Sequence, residues 1–304
     1  MEFFSHKTNF NFMAQRKWAF WFSALLIIFS IVSLIINGLN LSLDFTGGMQ
    51  MEITYAISPD FDKIRAELEQ SGLEAATQAY GTSKNVMIKL KLQKDLNQQQ
   101  MIDKVLQVLP EAKLERAEMI GAQVGKTLVN NGILAVIIAL LGTMIYIALR
   151  FEHRFAISAV ISLVHDPILI LGIFSLFHIE FDLITLAALL TVIGYSLNDT
   201  IVVYDRVREN FRKIRKAIPT EILNLSVNQT LSRTIMISGL TFSVVTTLLI
   251  FGGQMLRGFS LAMMIGIAIG TYSSIYIAGS LALLFGLDRK HLLVPEKKII
   301  DNMP

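Results

Sequence analysis

LITLAALLTVIGYSLNDTIVVY, Leu183–Tyr204, is long and apolar enough to cross a bilayer, yet it carries Ser196, Asn198, Asp199 and Thr200 near one end. A hydrocarbon core roughly 30 Å thick takes about 20 apolar residues per helix. An Asp at the centre of such a helix costs roughly 2.5–3.5 kcal/mol, so ionisable residues inside a span point to function. The span just before it, Ala156–Phe177, repeats the pattern with His165-Asp166-Pro167. Only about five residues join the two, which predicts antiparallel neighbours.

Working outward, four more stretches meet the same length criterion: Trp18–Ile36, Gly132–Leu149, Ile235–Phe251 and Phe259–Phe285. The first lacks a small-x-small cleavage signature and reads as a retained anchor. Composition agrees, because 17% of the chain is charged and 53% hydrophobic, against about 25% charged in soluble domains. There are no cysteines, which excludes disulfides and thiolate metal sites.

The net charge is only +3, and its distribution sets the orientation. Basic residues fall before the first span (Lys7, Arg16, Lys17), after the second (Arg150, Arg154) and after the fourth (Arg206, Arg208, Arg212, Lys213, Arg215, Lys216, with Arg233 leading into the fifth). They recur in the tail (Arg289, Lys290, Lys297, Lys298). The segments on the other face are His178–Asp182, with none, and Gly252–Gly258, with Arg257 alone. The positive-inside rule puts both termini in the cytoplasm.

The expected organisation is a cytoplasmic N-terminus (1–17), a first helix (18–36), an outer domain (37–129), a five-helix region (130–285) with a basic cytoplasmic loop at 205–233, and a cytoplasmic tail (286–304). In the loop, Val207, Phe211 and Ile214 share one side of a helix, so it is expected to lie along the inner leaflet. Asn224-x-Ser226 and Asn228-x-Thr230 match glycosylation acceptors but fall on the cytoplasmic side.

The outer domain alternates apolar positions over Met49–Ile57, the period of a half-buried strand. A helix follows to about Gln70, then strands at Leu73–Tyr80 and Asn85–Leu92, a helix at Asn97–Leu109 and a strand at Glu111–Ile120. This β-α-β-β-α-β order is the ferredoxin-like arrangement, which assigns no function by itself. No nucleophile–base pair, histidine–carboxylate cluster or phosphate loop stands out there, so a lever or binding domain without chemistry is expected.

Within the membrane, acidic residues, a histidine and small polar side chains in one bundle are the material of a proton relay. Asp166 is expected near mid-bilayer, and Asp199 about five residues from the cytoplasmic end, roughly 8 Å inside. A purely structural hydrogen bond from Asp199 to a neighbouring helix is the competing reading. His165-Asp166 resembles a metal-ligand pair, but no third ligand sits at a suitable spacing. Pro167 removes a helix hydrogen bond and predicts a kink. Gly266-x-x-x-Gly270 permits close helix approach.

Four segments carry a resemblance. LDFTGG (Leu43–Gly48), GAQVGKTL (Gly121–Leu128), TVIGYSLNDTIVVYDRVREN (Thr191–Asn210) and NLSVNQTLSRTIMIS (Asn224–Ser238) resemble, in order and spacing, motifs of the SecD/SecF family of protein-export membrane proteins. Ala122 stands where the family pattern has proline, while Gly125 is kept. The resemblance covers nearly the whole chain and implies a SecF-like subunit with half of an RND-superfamily bundle.

It further implies that SecD supplies six other spans in a heteromer, that the SecYEG channel and YajC are neighbours, and that the substrate is an unfolded polypeptide in transit. The work would be late-stage translocation on the periplasmic side, driven by the proton-motive force across the bacterial inner membrane. By position, Asp199 becomes the proton carrier and Arg233 its charged partner, with Asp166, Asn198 and Thr200 in the same relay. Asp44, Phe45, Thr46, Gly47, Gly48, Gly121 and Gly125 become the motif of the periplasmic domain. Lipid surrounds the chain, and neither a cofactor, nor a metal, nor a nucleic-acid partner is expected. Rival readings are an RND-type half-transporter for a small solute or lipid, an intramembrane enzyme, and a passive assembly or receptor protein.

Overall fold

The computed structural model describes residues 9–92, 96–214 and 216–288. The charges at Lys7, Arg215, Arg289, Lys290, Lys297 and Lys298 lie outside the described residues.

The elements in chain order are α1 (Arg16–Ile36), β1 (Asn40–Leu41), α2 (Leu43–Thr46), β2 (Gly48–Thr54), α3 (Phe61–Gln70), β3 (Ala75–Tyr80) and β4 (Thr82–Leu90). Then come α4 (Gln98–Val108), β5 (Lys113–Ile120), α5 (Ala122–Arg150), α6 (His153–Leu176), β6 (Glu180–Phe181), α7 (Leu183–Lys213), α8 (Pro219–Phe251), α9 (Arg257–Tyr272) and α10 (Gly279–Leu284). A π-helical turn, Ser273–Ala278, joins the last two into one continuous span.

Among the described residues six helices are long and apolar enough to cross a membrane. Of their apolar windows, 61% of α6, 44% of α7 and 56% of α9–α10 are buried, against 17% of α1, 11% of α5 and 17% of α8, so the first three form the interior. The peripheral helix α1 keeps small polar residues on its inner face. The buried residues of α1 are Ser23, Ser30 and Ser33, while Trp18, Trp21, Ile28 and Ile35 are exposed. Gly172 of α6 receives Ser30 with no room for a side chain. In α9, Gly266 and Gly270 do the same for Val192 and Ser196 of α7. The helix α6 continues through Pro167.

The α+β domain is one antiparallel sheet in the order β3-β4-β2-β5. The alternating side chains of β2 bury Met49, Met51 and Ile53 with Ile88 and Leu90 of β4, Leu68 of α3 and Met101 of α4. Asp60 caps α3 through the N–H groups of Asp62 and Lys63, and a reciprocal Asn97–Gln100 box caps α4, each satisfying orphan donors.

Two pairings the sequence did not predict fix this domain to the bundle. Parallel β1 and β6 join the segment after α1 to the loop after α6, and Lys89 Nζ of β4 lies 2.5 Å from Glu180 Oε1. At the other end of the bundle, Arg150 pairs with Asp205 at 3.3 Å. Asn224 and Asn228 of α8 hold the N-terminal approach, Asn228 Oδ1 accepting from Phe10 N at 2.8 Å and Asn224 Oδ1 from Met13 N at 3.3 Å. The two glycosylation-like sequons are therefore tertiary contacts.

Three expectations are corrected. The second membrane helix starts at Ala122, ten residues ahead of its apolar stretch, so the α+β domain ends before 129. The segment 205–233 is not a loop, because α7 runs to Lys213, α8 starts at Pro219, and only 214–218 links them. Nor does its apolar side lie along a leaflet. Val207 and Phe211 are buried against Ile222, Leu223 and Val227, and Asn210 Nδ2 donates to Ser226 Oγ at 2.8 Å. An apolar stripe covers itself with protein when a neighbouring helix offers a matching one.

Candidate functional site

His165, Asp166 and Asp199, all buried, lie on one seam between α1, α6, α7, α8 and α9. At its centre is Asp166, fully buried on α6. Its Oδ1 is 2.8 Å from His165 Nδ1. Its Oδ2 accepts from Ser196 Oγ of α7 at 2.5 Å and from Ser273 Oγ at 3.0 Å. Three partners satisfy the carboxyl group, as burial in hydrocarbon demands. His165 Nε2 is 3.1 Å from Ser23 Oγ on α1, and Ser23 Oγ is 3.1 Å from the Tyr272 hydroxyl of α9.

Asp199 occupies the same seam one helical turn beyond Ser196 and is 2% exposed. Its surroundings differ. Its one hydrogen bond among those described comes from Ser238 Oγ of α8, at 3.4 Å. Ser238 Oγ in turn lies 3.0 Å from Thr271 Oγ1 of α9. Arg233, one helical turn before Ser238 on α8, acts on Asp199 electrostatically without an ion pair within 4.0 Å among the described residues. Asp199 is thus a buried carboxyl group with spare hydrogen-bonding capacity. Its helix continues beyond the apolar span, to Lys213.

The other expected relay members divide. Thr200 is buried, but its hydroxyl returns to Ser196 O at 3.2 Å, a bond within its own helix. Asn198 is exposed on the outer side of α7, so the structure does not bring it to Asp199. The reason is helical geometry, since adjacent residues on a helix point about 100° apart. Ser23, Ser238, Tyr272 and Ser273 were missed. The signal for Ser23 was available: serines at 23, 30 and 33 recur at helical spacing in an otherwise apolar span. Among the described residues no three His, Cys, Asp or Glu side chains converge as a metal site would need.

The glycine motifs form the joint between bundle and sheet. Ser42 Oγ caps the short α2, and Asp44 Oδ2 accepts from Leu183 N at 3.2 Å, capping α7. Phe45 is buried and stacks on Phe181 with centroids 6.0 Å apart. Thr46 Oγ1 donates to Ser42 O at 3.0 Å. Gly47 has φ +74°, and a Cβ there would lie 2.9 Å from Ala122 Cα. Behind Gly48 are Leu43 and, at 2.7 Å, Leu90 O, and a Cβ on Gly125 would lie 2.6 Å from Phe45 O. Gly121 precedes α5 with open space around it and meets no such constraint. The start of α5 therefore packs against the backbone of LDFTGG, which couples a membrane helix directly to the first strand of the sheet.

Comparison with known proteins agrees with this layout. Residues 100–288 match the family model described as protein export membrane protein SecD/SecF, C-terminal, and residues 32–56 match the SecD/SecF GG motif. The chain is 46% identical over 291 residues to the protein translocase subunit SecF of Escherichia coli O157:H7, covering 93% of this chain and 90% of that one. Its identity to the subunit of the same name from Vibrio alginolyticus is 43% over 304 residues, covering 97% and 96%. Among solved structures, SecDF of Thermus thermophilus, a translocon-associated membrane protein, superposes with a TM-score of 0.82 at 34% identity over 91% of this chain. The chain spans 39% of the length of that SecDF chain. With family models over both the glycine joint and the helix bundle, and full-length relatives well above 30% identity, this chain belongs to the SecD/SecF family of protein-export membrane proteins.

Proposed function

We propose that this multi-pass membrane protein is an accessory subunit of the Sec protein translocase that works with SecD and draws on the proton-motive force to promote late-stage export. Support for the subunit comes from relatives named protein translocase subunit SecF. Support for a SecD partner comes from the SecDF chain, of which this one matches 39%. The partner would supply the other half of an RND-type bundle, with SecYEG and YajC nearby and an unfolded polypeptide as cargo. The sheet order β3-β4-β2-β5 is that of a ferredoxin-like domain, which we place on the periplasmic side of the inner membrane, with both termini in the cytoplasm. Basic residues at the far end favour that orientation. No covalent chemistry is assigned to the subunit, and it is not proposed to be an enzyme.

The observation that carries the proton-driven reading is the contrast between two buried carboxyl groups: Asp166 with three partners, and Asp199 with one long bond from Ser238 and Arg233 nearby. A carboxyl group that only packs is saturated, whereas one that exchanges protons needs room to change partners. One proton crossing the membrane releases about 2.3 kcal/mol per 100 mV. A change of charge at Asp199 alters what α7, α8 and α9 hold between them, and the glycine joint passes movement at the head of α7 and α5 to the sheet.

Asp199→Asn keeps size and hydrogen-bonding capacity but cannot release a proton. It is expected to abolish gradient-stimulated export in inverted vesicles while assembly with SecD persists. Full gradient-stimulated export by an assembled Asp199→Asn complex would return Asp199 to a structural role.

A further inference from the structure

The two edges of the sheet are built differently. At one edge, β5 carries Lys113, Glu115, Arg116 and Glu118, and its pairing with β2 is irregular between Glu52 and Ile53. Charges and bulges are the usual devices that stop a sheet edge from accepting another strand. A side chain covers this edge as well, since Gln98 Nε2 of α4 donates to Ala117 O at 3.4 Å. At the other edge, β3 reads Ala-Ala-Thr-Gln-Ala-Tyr, with no charge and no proline. Its one irregularity lies at its far end, between Ala79 and Tyr80.

The register fixes which main-chain groups of β3 are open. Lys91 N–H donates to Glu74 O at 3.4 Å, and bonded pairs alternate with non-bonded ones along an antiparallel ladder. Ala76, opposite Lys89, and Gln78, opposite Met87, therefore bond to β4. The N–H and C=O groups of Ala75, Thr77 and Ala79 point away from the sheet. Among the described residues no strand pairs with this edge, and no main-chain bond reaches those groups from elsewhere.

This open edge borders a groove of about 1010 Å³ between the sheet and the glycine joint, lined by Ala76 and Gln78 on one side and by Leu41 and Thr46 on the other. A six-residue strand is about 20 Å long and takes up about 5 Å by 10 Å in a packed sheet, so the groove has the volume of one added strand. Both lysines of the groove are paired, Lys89 with Glu180 and Lys91 with Glu74, each at 2.5 Å.

We propose that β3 is a docking edge for an extended stretch of the polypeptide in transit, which adds to the sheet as a further strand through main-chain hydrogen bonds. The proposal rests on the translocase reading given above and names where this subunit holds its cargo. The chemistry of the edge selects this occupant over a fixed partner strand. A permanent pairing is held in register by its side-chain pattern, and Ala-Ala-Thr-Gln-Ala offers small neutral side chains that set none. A charged partner strand would find no unpaired lysine in the groove. Main-chain groups are the same in every cargo, so an edge that reads only those accepts a sequence that changes as it passes. Each such bond is weak in net terms, which holds a chain without stopping it. Cargo held at β3 moves with the sheet that the joint ties to α5.

The test uses the full chain assembled with a cysteine-free SecD in inverted vesicles. This chain has no cysteine, so Ala76→Cys places a single thiol at an exposed position of the edge. Because Ala76 bonds to β4, it meets an added strand in a non-hydrogen-bonded pair, the kind with the closer side chains. Glu115→Cys puts the thiol on the guarded edge instead. A secretory polypeptide carrying one cysteine beside a photo-reactive group is arrested in mid-export and oxidised. A disulfide to the cargo is expected from Ala76→Cys and not from Glu115→Cys, and it is expected to survive shuffling of the cargo residues around the cysteine. Thr77→Pro removes an outward N–H while sparing the ladder to β4. It is expected to lower the yield about two- to tenfold, the worth of one hydrogen bond. Ala117→Pro, on the other edge, is expected to leave the yield unchanged. Amide exchange of β4 in the full chain reports whether each proline variant is folded, and the Ala76→Cys result stands without them.

Protection of Ala76→Cys from a membrane-permeant maleimide in the cargo-free complex would show that SecD covers the edge, and would overturn the proposal. Equal disulfide yields from the two edges, loss of the disulfide on shuffling, or full yield in a folded Thr77→Pro variant would each overturn main-chain docking at β3. Cargo that photo-cross-links to SecD yet never to Ala76→Cys would overturn β3 as the site and leave the translocase reading standing. Cargo that reaches neither SecD nor this chain would remove that reading, and this proposal with it.

Discussion

The sheet domain and the helix bundle are built from the same residue types with opposite sorting. In the sheet domain, Met49, Met51, Ile88 and Leu90 are fully buried, and charges are paired at the surface, as Lys91 is with Glu74 and Arg116 with Glu118. In the bundle, Trp18, Ile35 and Ile138 are outside while His165, Asp166, Asp199 and a set of serines are inside. Neither arrangement breaks the rule that polar groups need partners. The solvent differs: water offers partners at the surface, whereas lipid offers none, so the bundle supplies them in its interior. The ionisable groups of the bundle are therefore found where a water-soluble protein would have its apolar core.

Truncating one isoleucine in each region tests this sorting most strongly. Ile88→Ala should cost about 2–5 kcal/mol, the usual range for a buried aliphatic side chain, read from amide exchange of the sheet in the full chain in bilayers. Ile35→Ala, at 77% exposure on α1, should cost under about 1 kcal/mol, because lipid tails are as apolar as the side chain removed. A cost at Ile35 comparable to that at Ile88 would mean that protein, not lipid, covers that side of α1 in the assembled complex.

The joint between the regions is the next point of attack. A methyl group at Gly125 would meet Phe45 O at 2.6 Å, and backbone cannot step aside as a side chain can. Gly125→Ala is expected to cost about 1–3 kcal/mol, the range for overpacking, and to speed amide exchange in β2 more than in β3. Uniform exchange across the sheet would show that Gly125 does not transmit its disturbance through Phe45 and Gly48.

The smallest effect belongs to Tyr55, a buried hydroxyl without a hydrogen-bond partner among the described residues, in the otherwise apolar sheet core. Burial, with the charges of Glu67 and Glu111, pushes its ionisation up to about 12 from 10.0. The unfolded chain releases this proton first, so the domain should lose stability as pH rises through that window and keep it below. Tyr55→Phe should flatten that slope in alkaline unfolding and change stability at neutral pH by no more than about 1 kcal/mol. An unchanged slope would assign it to other groups.

Much of this molecule was legible in the chain because membrane burial is a one-dimensional constraint. A run of some 20 apolar residues has no other stable place, and alternating apolar residues over Met49–Ile53 admit only one sheet face. Asp166 and Asp199 stood out for the same reason, as costs no apolar span accepts idly. The glycines of LDFTGG were visible as a motif, but not as the socket for Gly125.

What the sequence could not provide is direction and partnership across helices. Asn198 and Asp199 are neighbours in the chain, yet one is exposed and the other buried in the bundle. The apolar stripe of Val207 and Phe211 reads equally well as facing headgroups or facing Ile222 and Val227. Ser23 and His165 are 142 positions apart, and no local pattern announces that one completes the hydrogen bonds of the other. Hydrophobic length and period are summed along the chain and survive any packing. A hydrogen-bonded chain exists only once crossing angles and rotations of several helices have been set together, and only the tertiary structure decided those.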